Sequence, residues 1–166
     1  QTTNFDNTSV TSANNITINN NSGGVSLSNS VAISGTLTLT SGTLAVGSNT
    51  LTLNGGYIAG TVNNLTTTSS SNLVFNTTAG GILPNFTAIN NLTCNSTGNT
   101  FILNSSPTIS GALTLTSGKL NIDANTLTLA GTVSGMSATN CLVTNNAATN
   151  SNLVVNGNLE IGRAHV

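Results

Sequence analysis

Ile33-Ser-Gly-Thr-Leu-Thr-Leu-Thr-Ser-Gly-Thr-Leu-Ala-Val-Gly-Ser-Asn-Thr-Leu-Thr-Leu53 returns 76 residues later, without a gap, as Ile109-Ser-Gly-Ala-Leu-Thr-Leu-Thr-Ser-Gly-Lys-Leu-Asn-Ile-Asp-Ala-Asn-Thr-Leu-Thr-Leu129. Each copy carries three aliphatic-x-aliphatic triplets: Leu37/Leu39, Leu44/Val46 and Leu51/Leu53, then Leu113/Leu115, Leu120/Ile122 and Leu127/Leu129. Side chains of a strand alternate between its two faces. Each triplet therefore reads as a short strand with two aliphatics turned inward and one polar residue turned out. Ser-Gly and Gly-Ser-Asn separate the triplets, and these are turn formers.

The same grammar runs along most of the 166 residues. Outward from the quoted stretch, the triplets are Ile16-Thr-Ile18, Val25-Ser-Leu27, Val31-Ala-Ile33 and Tyr57-Ile-Ala59. Weaker strand material lies at Leu65, Leu73-Val-Phe75 and Ile82-Leu83. A second unit opens at Asn90-Asn-Leu-Thr-Cys94, which matches Asn14-Asn-Ile-Thr-Ile18. Ser71-Asn-Leu-Val74 and Ser151-Asn-Leu-Val154 correspond at a longer offset, so about four residues are inserted near 136–150, where a loop absorbs them. The organisation expected is a polar lead-in or partial first coil at 1–13 and one solenoid over 14–158, built from units 14–89 and 90–158.

Self-similarity at a fixed period marks a repeat architecture. Strands recur every six to nine residues, and three steps give about 20. Positions 16, 37 and 58 are all aliphatic, as are 31 and 51. The reading is all-β: a right-handed parallel β-solenoid, three-sided, with about 20 residues per coil. Seven or eight coils at about 4.8 Å each give a rod roughly 35–40 Å long. A sandwich fits less well, because three-residue strands are too short to span one.

Composition removes several function classes. Thr, Asn and Ser make up nearly half of the chain, only 3% of it is charged, and the formal net charge is −1. Nucleic-acid binding needs a basic footprint, which is missing. No apolar run approaches the roughly 18–20 residues that span a bilayer, so membrane insertion is not expected. Glycoside cleavage needs paired carboxylates, and the chain before its tail offers Asp6 and Asp123, far apart in sequence. Ser and Thr are plentiful but have no activating base. A non-catalytic protein without cofactor or metal is expected.

Four residue groups are candidate sites. Cys94 aligns with Ile18 and Cys141 with Leu65, so both read as buried free thiols. Lys119 and Asp123 replace Thr43 and Gly47 and read as an exposed pair on turns. Asn15, Asn64, Asn76 and Asn91 head Asn-x-Thr triplets that this composition produces by chance. The outward hydroxyls of Thr36, Thr38, Thr40, Thr50, Thr52, Thr114, Thr116, Thr126 and Thr128 are candidates for binding ice or glycan. At 20 residues per coil, Thr36/Thr38 falls over Asn15/Thr17 and under Tyr57/Ala59, which interrupts that rank. The tail Glu160-Ile-Gly-Arg-Ala-His-Val166 breaks the compositional rule and reads as a translated sequencing adapter, so Arg163 and His165 carry no argument.

At Gly35-Thr-Leu-Thr-Leu-Thr-Ser-Gly-Thr-Leu and Asn49-Thr-Leu-Thr-Leu-Asn-Gly55 the chain resembles the Thr/Asn/Ser-rich repeat regions of very large secreted bacterial surface proteins, adhesin-like and often type IX secretion cargo. That resemblance implies an extracellular or cell-surface location and a role as stalk, adhesin or matrix fibre. The partners expected are further segments of the same chain, or copies joined end to end through the open ends of the rod. The resemblance transfers no catalytic residue.

Overall fold

The structure, a computed structural model, describes residues 3–5, 10–144 and 151–158. The tail at 160–166, read above as a translated adapter, lies outside the described residues. Every strand pairing among the described residues is parallel. Paired residues sit about 20 apart in the chain: Val31 on Leu51, Ile16 on Leu37, Leu92 on Leu113. The fold is a parallel β-solenoid of about seven turns. The only helical piece described is one 3₁₀ turn at Val62–Asn64.

The three-residue strands expected from the triplets partly fuse. Ile16–Leu27 and Asn91–Ile102 are each one strand of 12 residues. Each shifts register after Ile18 or Cys94, where the strand bends around a corner onto the next face.

One face is continuous over seven rungs. Its ladder runs through Ser12–Ala13, Val31–Ile33, Thr50–Leu53, Asn72–Phe75, the start of Asn91–Ile102, the start of Leu113–Asn121, and Val133–Ser134. This is face one. Face two stacks Ile16, Leu37 and the strand Ala59–Gly60, then resumes with Gly81–Ile82, Phe101, Leu120 and Leu142. Face three stacks Thr3–Phe5, Val25, Leu44 and Leu65, then Ala88–Ile89, Thr108–Ile109, Leu129 and Val155.

The two units are related by an offset around the rod. Eleven strand segments separate Ile16 from its counterpart Leu92, and eleven is not a multiple of three. The second unit therefore starts one face away from the first. Ile16 and Leu37 lie on face two, whereas Leu92 and Leu113 lie on face one. Val31 and Leu51 lie on face one, whereas Pro107–Ile109 and Leu127–Leu129 lie on face three.

Inward residues form one core. Leu37, Leu39, Leu44, Val46, Leu51, Leu53, Leu113, Leu115, Leu120, Ile122, Leu127 and Leu129 are each at most 2% exposed. Burying each such side chain contributes about 1.5–3 kcal/mol. Where the two units meet, the ladders of faces two and three are interrupted, and side chains close the gaps. Tyr57, Phe75 and Phe101 stack with ring centroids 5.4–6.3 Å apart. The Tyr57 ring covers Gly81, where a Cβ would strike it, and its hydroxyl donates to the Ile82 carbonyl. On face three the Thr67 hydroxyl donates to the Ala88 carbonyl at 3.0 Å.

Corners are held by side-chain ladders that the duplication preserves. Asn49 Nδ2 donates to the carbonyls of Leu27 and Val46, and Asn125 Nδ2 to those of Leu103 and Ile122. Asn15 Oδ1 accepts from Thr36 N–H as Asn91 Oδ1 does from Ala112 N–H. Along one edge of face one, Asn76 Nδ2 donates to Asn54 Oδ1 at 2.9 Å, and Asn95 Nδ2 donates to Asn76 Oδ1 at 3.2 Å. Ser117 Oγ continues the ladder by donating to Asn95 Oδ1 at 2.6 Å. No buried side-chain nitrogen or oxygen lacks a partner among the described residues. Asn76→Ala cuts this ladder in two places and is expected to cost about 1–2 kcal/mol, seen as a lower urea midpoint with an unchanged slope.

Candidate functional site

Face one is the candidate, because its outward side chains form a single column. In order along the rod these are Ser12, Ala32, Thr52, Val74, Thr93, Thr114 and Ser134. None is larger than Val, so the surface is flat. A parallel column outside it holds Thr50, Asn72, Asn91 and Ala112. Rungs lie about 4.8 Å apart and the two columns about 6.6 Å apart, two residues along a strand. The face is a regular array of hydroxyls, methyls and amides without a charge.

The unit offset creates this array. Thr52 belongs to the first copy; Thr93 and Thr114 belong to the second. Had the copies stacked in phase, Thr114 would share a face with Thr38. Instead Thr38 lies on face two between Thr17 and Ala59, which is the interruption expected from the sequence. Thr36 sits at the corner, its N–H bonded to Asn15 Oδ1 at 2.8 Å. Thr40 and Thr116 are exposed, each inside a nine-residue strand, Leu37–Ala45 and Leu113–Asn121, that passes from one face to the next. Thr126 and Thr128 lie on face three, opposite Asn152 and Val154. The nine candidate threonines are thus spread over all three faces; Thr50, Thr52 and Thr114 come together on one. Thr93 and Ser134 join them, and the sequence pattern does not reveal them, because placing them requires the register across the junction.

The cysteines separate. Cys94 is fully buried between Phe75 and Leu115, in the place Ile18 holds in the first unit. Burial pushes its thiol up to about 12. Cys141 is half-buried and does not take the place of Leu65. Leu65 pairs with Leu44, and its counterpart paired with Leu120 is Leu142. The loop before Leu142 is longer than its counterpart, which displaces Cys141 by one position. Both thiols are free. At pH 8, iodoacetamide is expected to label Cys141 in the native protein and Cys94 only after unfolding, read by mass spectrometry.

Cys94 also sets an alkaline limit. Burial keeps the folded thiol protonated, while an unfolded thiol ionises near pH 9. Between those values the unfolded chain binds fewer protons, so stability falls as pH rises from about 9 to about 12. Tyr57 acts in the same direction: its phenol is pushed up by burial first and by Cys94 second.

Among the described residues no group of three His, Cys, Asp or Glu is placed to hold a metal ion. Among them no helix is long and apolar enough to cross a membrane. Comparison with protein families, curated proteins and solved structures finds no match to this chain.

Proposed function

We propose that this chain is a non-catalytic structural segment of an extracellular surface protein, a rigid stalk or adhesive fibre. The observation that carries this reading is the unbroken seven-rung ladder of face one over a continuous aliphatic core. Such a rod lengthens by duplication, since each added coil buries its aliphatics on the previous one. The corner ladders repeat in both units and serve the rod. The resemblance to secreted adhesin-like repeats supports the extracellular setting. Leu153 and Val155, 39% and 36% exposed although they stack on Leu127 and Leu129, offer an apolar edge on which a further coil of the same chain or a second copy would stack.

Small-angle scattering of the chain and of two copies joined head to tail tests the role. The maximum dimension is expected to grow by about one rod length, roughly 35 Å for seven coils. A double-length chain that folds back into a particle of unchanged length would overturn the stalk.

The flat, neutral face one favours a second reading: binding of ice or a neutral glycan through its Thr and Asn columns. Thermal hysteresis in solution, or retention on a glycan array, supports it if Thr93→Lys abolishes the signal. Silence in both assays leaves the stalk alone.

A further inference from the structure

The two units differ in length at the corner that precedes Leu65 in the first and Leu142 in the second. In the first unit the loop between Gly60, stacked on Leu39, and Leu65, stacked on Leu44, is residues 61–64. It makes a 3₁₀ turn whose Val62 packs against the core. In the second unit the corresponding anchors are Gly135, against the Leu115 carbonyl, and Leu142, stacked on Leu120. The loop between them is residues 136–141, two residues longer. Met136 takes the core contact, residues 137–139 are exposed, and Asn140 bonds back to the Thr116 carbonyl.

A cavity of about 500 Å³ lies under that loop, lined chiefly by Thr97, Asn99, Ser117, Lys119, Thr139 and Asn140. Its size falls within the roughly 300–1,000 Å³ of small-molecule sites. The Cβ position of Gly98, also in the lining, faces open space. The chain's one lysine is here, where the first unit has Thr43. No acidic side chain lines the cavity, and no described residue pairs with the Lys119 ammonium.

We infer that this corner cavity binds the carboxylate-bearing sugar of an acidic glycan, a hexuronate. A single ammonium matches a single carboxylate. The remaining lining supplies hydroxyls and amides, which suit sugar hydroxyls. Asn99 Nδ2 is committed to Ser96 Oγ, Thr97 O and Thr78 O, which fixes the side chain and leaves Oδ1 to accept. Asn140 is fixed by Nδ2 donation to Thr116 O at 2.8 Å, and Thr139 donates to its Oδ1. The polar wall is therefore pre-formed, which lowers the ordering cost of binding. The longer loop and the lysine occur together in one copy only, at a corner whose other copy is already closed without them. This inference is independent of the stalk reading.

Amide-shift titration of the whole chain tests it, with trigalacturonic acid, a neutral galactose trisaccharide and acetate as probes. Trigalacturonic acid is expected to shift residues 97–100, 117–120 and 138–140, and to bind more weakly at high salt. Lys119→Thr, which restores the first unit's residue at an exposed position, is expected to melt like the parent and lose about tenfold in affinity. Lys119→Arg is expected to keep most of it. No response to trigalacturonic acid at millimolar concentration overturns the inference. So does an equal response to the neutral sugar, an equal response to acetate, or unchanged affinity in Lys119→Thr.

Discussion

Leu113→Asp is expected to unfold the second unit. Leu113 is fully buried between Leu92 and Val133 on the continuous face, and nothing in that column could neutralise a carboxylate. Deleting the aliphatic volume alone costs about 2–5 kcal/mol. Burying an unpaired charge adds several more. Domains of this size are stable by only about 5–15 kcal/mol. Far-UV circular dichroism should show loss of strand signal, partly restored as pH falls, because the protonated acid is less costly to bury than its anion. Thr114→Asp, one residue along and turned outward, is the control and is expected to cost about 1 kcal/mol or less. If the two variants behave alike, the in–out assignment of face one is wrong.

Gly131→Val is expected to destabilise almost as strongly, for a different reason. Gly111, Gly131 and Gly157 stack at one corner, and a Cβ on Gly131 would run into the Gly111 carbonyl and approach the Ser110 oxygen. Both obstacles are backbone, so relief requires two coils to move apart. Overpacking of this kind costs about 1–3 kcal/mol for a methyl and more for a branched side chain. Gly56 supplies the contrast, since its Cβ would meet only Thr36 Oγ1 at 3.6 Å, an ordinary contact. Gly56→Ala is expected to be neutral or slightly stabilising, by reducing the freedom of the unfolded chain. Thermal melts of the three proteins decide this: the parent and Gly56→Ala should melt together, with Gly131→Val several degrees lower.

Much of the rod is legible in the sequence, for a simple reason. Strand alternation forces inward residues to be aliphatic, and coil stacking forces them to recur, so triplets such as Leu37/Leu39 and Leu113/Leu115 reveal both strand and period. The corner residues are legible too: Asn49 and Asn125 repeat because each satisfies two carbonyls of its own and the preceding coil. The candidate surface is less legible. Thr38 and Thr114 occupy equivalent places in the repeat yet face different directions, because the repeat comprises eleven strand segments on a three-sided rod. Thr93 and Thr52 look unrelated in sequence yet share a column. Chain steps across the junction vary, with 22 residues from Thr50 to Asn72 and 19 from Asn72 to Asn91, and no periodicity argument supplies those numbers. The corner cavity is closed by Ala138, Thr139 and Asn140, which lie where the two units no longer align. Lys119 reads in sequence as half of an exposed pair with Asp123, and the cavity beside it depends on Thr139 and Asn140 of the longer loop.

The most direct test of the stacked, offset units is a distance along face one. Spin labels at Ala32→Cys and Ser134→Cys, with Cys141 replaced by Ser and Cys94 left buried, sit five rungs apart in one column. Pulsed electron resonance should give one narrow distribution near 24 Å, five steps of about 4.8 Å. A broad distribution, or a peak displaced by about two rungs or more, would contradict the stacking of both units into one continuous face.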